Sequence, residues 1–247
     1  MSDHVKLRVK FQKTGAIRYI GHLDVMRFFQ KCLRRAQIPV CYTGGFSPHQ
    51  ILTFAAPLSV GLESYGEYMD VEVESITTSA DMTERLNQAS VPEIKIVSVK
   101  KLPPEAGNAM ASVSAAKYFV TLREDREVPI LSNGPDAVKN AISEFLSQDQ
   151  ILYEKESKKG KREVDLKPGI FGFEWLDDKG GMEMLLDASS GDNIKPSQVL
   201  DAMLKQLGRQ LPENCLRVTR IDTYTRTAEE GDRLGELISM DDVGEIF

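Results

Sequence analysis

The chain has 247 residues, 41% of them hydrophobic and 28% charged, with a formal net charge of −6. That is enough to bury a core in one large domain or two smaller ones, and it excludes a collagen-like or wholly disordered chain. No apolar run approaches the roughly 20 residues of a membrane span. The N-terminus lacks the apolar core of a secretory signal, so a cytoplasmic protein is expected. The three cysteines, Cys32, Cys41 and Cys215, fit neither a disulfide framework nor a C-x-x-C metal pattern, so neither a metal nor a cofactor is expected.

Charge is unevenly distributed. Residues 4–50 hold nine Lys or Arg against Asp24 alone, a formal +8, whereas residues 51–247 carry −13. A basic segment in an acidic chain points to an anionic partner, often nucleic acid, unless the acidic remainder folds over it.

In chain order, Val5–Phe11 alternates apolar and basic residues as a half-buried strand does. A helix is predicted over His22–Ala36, with Val25, Met26, Phe29, Cys32, Leu33 and Ala36 inward. Arg27, Lys31, Arg34 and Arg35 fall on its outer side. Short extended pieces follow at Ile38–Tyr42 and Ile51–Phe54. Glu67–Glu74 reads as a strand with Asp70, Glu72 and Glu74 facing solvent or nearby cations. A helix over Thr78–Ala89 and a strand over Glu93–Lys101 complete the first half.

The second half repeats the order. A strand is predicted at Ala116–Arg123, a helix at Pro135–Ser147 and a strand at Ile151–Glu156. A basic turn spans Lys158–Arg162, followed by a strand pair over Glu163–Leu176 and a strand at Met182–Asp187. The helix Pro196–Leu207 and the strand Leu216–Tyr224 close it. The predicted fold is α+β: two ferredoxin-like (βαββαβ) units in tandem, residues 1–103 and 113–225, each an antiparallel sheet with helices on one face. Residues 226–247, with seven acids, are expected to form an acidic mobile tail.

The loop after the basic helix, CYTGGFSPHQ, joins Gly44 and Gly45 to Phe46 and His49. Such a turn exposes backbone N–H groups to an anion, and an aromatic beside it can stack on a base. The expected nucleic-acid or anion contacts are Arg18, Arg27, Lys31, Arg34, Arg35, Gly44, Gly45, Phe46 and His49. Lys158, Lys159, Lys161 and Arg162 of the basic turn join them. A bland alternative makes the helix face merely solvated and the loop a hairpin with Phe46 buried. His22 and His49 are the candidates for acid–base catalysis. His22 falls within the apolar sector of its helix, where a packed histidine is more usual.

The runs KTGAIRYIGHLD, LRRAQIP, GGFSPH and PLSVGLESYGEYMD, and later REVDLKPGI and VTRIDTYTR, resemble the radical-SAM-linked family called domain of unknown function 2344. Gly21 departs from the pattern, which tends to place a serine there as a helix cap. The resemblance implies association with radical SAM proteins and proximity to RNA-processing functions. The chain lacks the three-cysteine motif of a radical SAM cluster, so it is not expected to be that enzyme. The leading expectation is an RNA-binding accessory domain that presents RNA to a radical SAM or RNA-processing enzyme. Its alternatives are a module docking on a radical SAM protein without nucleic acid, and a metal-independent ribonuclease.

Overall fold

A computed structural model describes residues 4–124, 126, 128, 131–157, 160–191, 193–227 and 235–247. The chain is α+β and divides into two compact units, residues 1–114 with 220–247, and residues 115–219. Among the described residues no helix is long and apolar enough to cross a membrane.

The first unit runs β1 (Val5–Lys13), α1 (His22–Arg35), β2 (Leu52–Phe54), β3 (Glu63–Val73), α2 (Ser79–Gln88) and β4 (Ile96–Lys101). Strand β1 pairs antiparallel with both β3 and β4, and β2 pairs antiparallel with β3. The order β4-β1-β3-β2 follows the β-α-β-β-α-β element order read from the sequence. Period-two alternation decides the faces. Leu7, Val9 and Phe11 of β1 and Met69, Val71 and Val73 of β3 point into the core. Helix α1 adds Val25, Phe29, Cys32 and Leu33, and α2 adds Met82 and Leu86, so both helices cover this one face. Thr78 caps α2 by accepting a hydrogen bond from the Asp81 N–H. Gly21 precedes α1 with no side-chain cap, as its lack of a hydroxyl requires.

The second unit runs β5 (Ala115–Leu122), α4 (Pro135–Leu146), β6 (Leu152–Ser157), β7 (Gly160–Asp165), β8 (Ile170–Leu176), β9 (Gly181–Asp187), α5 (Pro196–Gln206) and the start of β10 (Leu216–Arg226). It is preceded by a one-turn helix, α3 (Ala109–Ser112). Strand β9 lies between β5 and β8, antiparallel to both. The Arg123 N–H donates to the Cys215 carbonyl and ties the start of β10 to the end of β5. Strands β6 and β7 pair only with each other, as a separate two-stranded sheet. Phe145 of α4 meets Phe173 of β8 edge-on at 6.4 Å.

On the opposite face of the first sheet Asp70 meets a nearby cation rather than solvent. Asp70 is buried, and both its oxygens accept from Arg8, whose Nε and Nη2 lie at 2.8 and 2.9 Å. The two residues stand directly opposite each other in the β1–β3 register. Arg8 is 2% exposed and also donates to the Met240 carbonyl. Strand β11 (Leu237–Ser239) pairs with β10, and fully buried Met240 follows it. Asp241 receives Ser98 and pairs with Lys100 at 3.0 Å, and Lys101 and Glu245 exchange backbone hydrogen bonds. Phe247 bonds to Ser79 through both its N–H and its carbonyl. The expectation of a mobile tail is therefore corrected for residues 235–247. A sheet face carrying a buried Arg–Asp pair must be kept from water, and this segment covers it. Residues 228–234 lie outside the described residues.

Replacing Arg8 by Met leaves the Asp70 carboxylate buried without its counter-ion. The expected loss is about 3–5 kcal/mol, read as a lowered urea midpoint with an unchanged slope.

Candidate nucleic-acid interface

Helix α1 presents the cations on its outer side because the apolar stripe turns the other side inward. Arg27, Lys31, Arg34 and Arg35 are exposed. Arg27 pairs with Asp24 at 3.3 Å, an exposed contact of small worth. Arg34 reaches only the Gln30 carbonyl of its own helix. Arg35 donates to the Ala89 carbonyl at 2.8 Å and lies 6.0 Å from the Phe28 ring. Lys31 takes no side-chain partner among the described residues. Among the described residues, no acid from later in the chain holds these four cations.

Arg85 of α2 adds a guanidinium that the sequence reading missed. It donates to the Ala36 carbonyl at 3.0 and 2.7 Å and to the Gln37 carbonyl, closing the C-terminal end of α1. A cation suits the negative end of a helix dipole. Nothing in the spacing of α2 signals this role, because the partner carbonyls lie 48 and 49 residues away.

The glycine loop leaves the sheet at isolated bridges, Val40 to Val73 and Tyr42 to Gln50, rather than at the short strand expected over Ile38–Tyr42. The Thr43 N–H donates to the His49 carbonyl, and the His49 N–H donates to the Thr43 hydroxyl. His49 Nδ1 also lies 3.1 Å from that hydroxyl. Gly45 takes a φ of +98°, which a side chain at this position would strain. The loop is thereby closed at its base, and Phe46 projects from its tip fully exposed. Gly44 and Gly45 have open space where a Cβ would stand. The reading of a hairpin that buries Phe46 does not describe this loop.

Other sequence candidates lie elsewhere. Arg18 pairs with Glu63 at 3.2 Å and stacks on Tyr19 at 5.0 Å. His22 is half-buried with its ring edge-on to Phe54 at 5.3 Å, whereas the contacts of His49 are with Thr43 and Ser47 of its own loop. No contact joins the two histidines. Lys161 pairs with Glu154 at 2.7 Å, Arg162 lies on β7, and Lys158 and Lys159 fall outside the described residues.

A second polar set was not singled out from the sequence. Lys13, 2% exposed, donates to the Ile20 carbonyl at 2.8 Å. It lines a cavity of about 20 Å3, room for one water, with His22, Glu67, Phe11, Phe54 and Pro57. Glu67 is buried and accepts from Arg220 at 2.9 Å, and Arg220 also donates to the Ala56 carbonyl. Burial pushes the Lys13 ammonium below its ordinary range, with Glu67 opposing the shift. Lys13 and His22 bound the run KTGAIRYIGH, and Glu67 belongs to the run that begins at Pro57.

A family model described as an uncharacterized protein conserved in bacteria, DUF2344, matches residues 6–196. The chain belongs to the DUF2344 family. No curated protein matches it. The DUF2344 match takes in α1, the glycine loop and the Lys13 cavity, and it stops before most of α5, all of β10 and the covering segment. Among the described residues no group of three or more His, Cys, Asp or Glu could hold a metal ion.

A lysine whose folded pKa lies below its unfolded value costs stability while both forms are charged. That cost fades as pH rises through the alkaline range below 10.5, because the unfolded chain there holds the extra proton. Wild type should therefore gain stability relative to Lys13→Met between pH 7 and pH 10, measured as the difference in urea midpoints.

Proposed function

We propose that this DUF2344 protein is an RNA-binding accessory domain that recognises or presents RNA to a processing or modifying enzyme, a radical SAM protein being the partner implied by the resemblance. The observation that carries the reading is the pairing of a fully exposed Phe46, on a loop closed at its base, with an α1 face of four exposed cations. Phosphate contacts from Arg27, Lys31, Arg34 and Arg35 would supply affinity with little sequence preference. Phe46 would stack on an unpaired base, and the open backbone at Gly44 and Gly45 lets a strand approach. Cys41, at the start of the loop, is six residues after Arg35, so the two lie within about 22 Å of each other.

A second reading, docking on a protein partner without nucleic acid, draws support from one place. Tyr19, Ile20 and Leu23 expose their side chains at the start of α1, and exposed Val60 belongs to a loop bonded to Arg18 through Gly61. A ribonuclease pairing His22 with His49 draws none, because each histidine has different neighbours.

RNA binding through four phosphates should give a log–log salt slope of about −3 on a single strand. Reversing Arg34 and Arg35 to Glu should abolish binding while leaving the circular dichroism and thermal midpoint near wild type. Phe46→Ala should cost about 1–3 kcal/mol of affinity for single-stranded RNA, with no loss of stability. Absence of RNA binding at low salt would leave the docking reading in its place.

A further inference from the structure

The hairpin β6–β7 carries charges that look mixed in sequence, but its register sorts them. Lys155 stands directly opposite Arg162, and Glu154 directly opposite Glu163. Successive residues of a strand alternate faces, so the two cations share one face and the two glutamates the other. Lys161, on the glutamate face, pairs with Glu154 at 2.7 Å.

The cationic face looks onto a cleft of about 250 Å3 within the second unit. Its floor is Leu166, Pro168, Gly169 and Ile194. Most of these residues belong to the run REVDLKPGI, which the proposed function leaves without a role. Gly169 keeps the floor closely packed, since a Cβ there would stand 2.5 Å from Ile194 Cδ1.

Two acids, Asp165 and Asp187, also line the cleft, and one oxygen of each takes local hydrogen bonds. Asp165 Oδ1 accepts from the N–H groups of Ile151 at 2.8 Å and Lys167 at 2.9 Å. Asp187 Oδ1 accepts from the N–H of Ser189 at 2.8 Å and from its hydroxyl at 2.6 Å. Lys155 donates to the Asn193 carbonyl at 2.9 Å. Arg162 has no side-chain partner among the described residues. Like charges placed directly opposite on a hairpin repel, and an anion between them removes that cost. A guanidinium fork beside an ammonium matches the oxygens of a phosphate.

We propose that this cleft binds the phosphate group of a phosphorylated ligand, held between Lys155 and Arg162. The assignment stands apart from the α1 face and does not depend on it. The phosphate could belong to a small metabolite or to an RNA backbone, and the two are separable.

The test is a titration of the 15N-labelled full chain, followed by amide shifts at Gly169 and Ile194, with inorganic phosphate in one arm and a short unstructured RNA in the other. Saturable shifts at both amides are expected. Shifts with phosphate alone assign the site to small phosphorylated compounds, and shifts only with RNA assign it to a polynucleotide backbone. Lys155→Gln with Arg162→Gln should weaken binding about tenfold or more, with the rest of the spectrum unchanged. Glu163→Gln, on the opposite face, should leave the affinity as it is. The proposal is overturned if neither probe moves these amides, if the double variant binds as wild type does, or if Glu163→Gln alters affinity as much as the double variant does.

Discussion

The buried ion pair between Arg8 and Asp70 sets the conditions for the first unit. A two-layer α+β unit needs helices on only one face of its sheet and can leave the other to water. Here the other face holds a guanidinium and a carboxylate, both nearly inaccessible. Such a pair is tolerated only when its geometry is good and its remaining hydrogen-bonding capacity is filled. The bidentate contact supplies the first requirement, and the Met240 carbonyl contributes to the second. Lys10 and Asp222, joined at 3.0 Å, extend the polar layer, and Tyr68 donates to Asp222 at 2.6 Å. Burial, with the Asp222 charge beside it, pushes the Tyr68 phenol well above its usual range, so it remains a donor.

One face is filled by α1 and α2 and the other by the covering segment, which leaves the outer side of α1 and the glycine loop exposed. The arginines at the end of α1 meet carbonyls, Gln30 for Arg34 and Ala89 for Arg35, whereas Arg85 of α2 meets both the Ala36 and Gln37 carbonyls and the Asp81 carboxylate at 3.2 Å. A carbonyl holds a guanidinium in place without cancelling its charge. The charges of Arg34 and Arg35 therefore survive the contacts that orient them. The acidic balance of the whole chain instead disfavours indiscriminate attraction to nucleic acid.

Helices and strands with a regular apolar period were legible in the sequence, because burial on one side of a helix or strand leaves a 3.6 or 2.0 residue rhythm. The basic side of α1 was legible for the same reason. What the rhythm could not convey is which partner meets the polar side. Arg8 and Lys10 read as solvent-facing cations in an alternating strand, yet Asp70 and Asp222 lie 62 and 212 residues away in sequence. Lys13 reads as one more basic residue, although it closes a cavity with Glu67. The last residues lack any apolar period, and they are held by Met240 and Phe247, by polar contacts of Ser239 and Asp241, and by backbone pairing. The charge sorting of the β6–β7 hairpin was not legible, because pairing with a neighbour, not composition, determines which charges share a face.

The close approach of β3 and β10 has one consequence for how the molecule is made. A Cβ at Gly66 would stand 2.4 Å from Asp222 Oδ1 and 2.5 Å from its Cα, so this glycine is where the two strands touch. The first unit is thus assembled from the beginning and the end of the chain, with residues 115–219 between them. Chains emerge from the ribosome N-terminus first. During translation Asp70 and Arg8 can meet early, but their cover arrives only after residues 115–219. Until then the nascent sheet exposes a half-finished face.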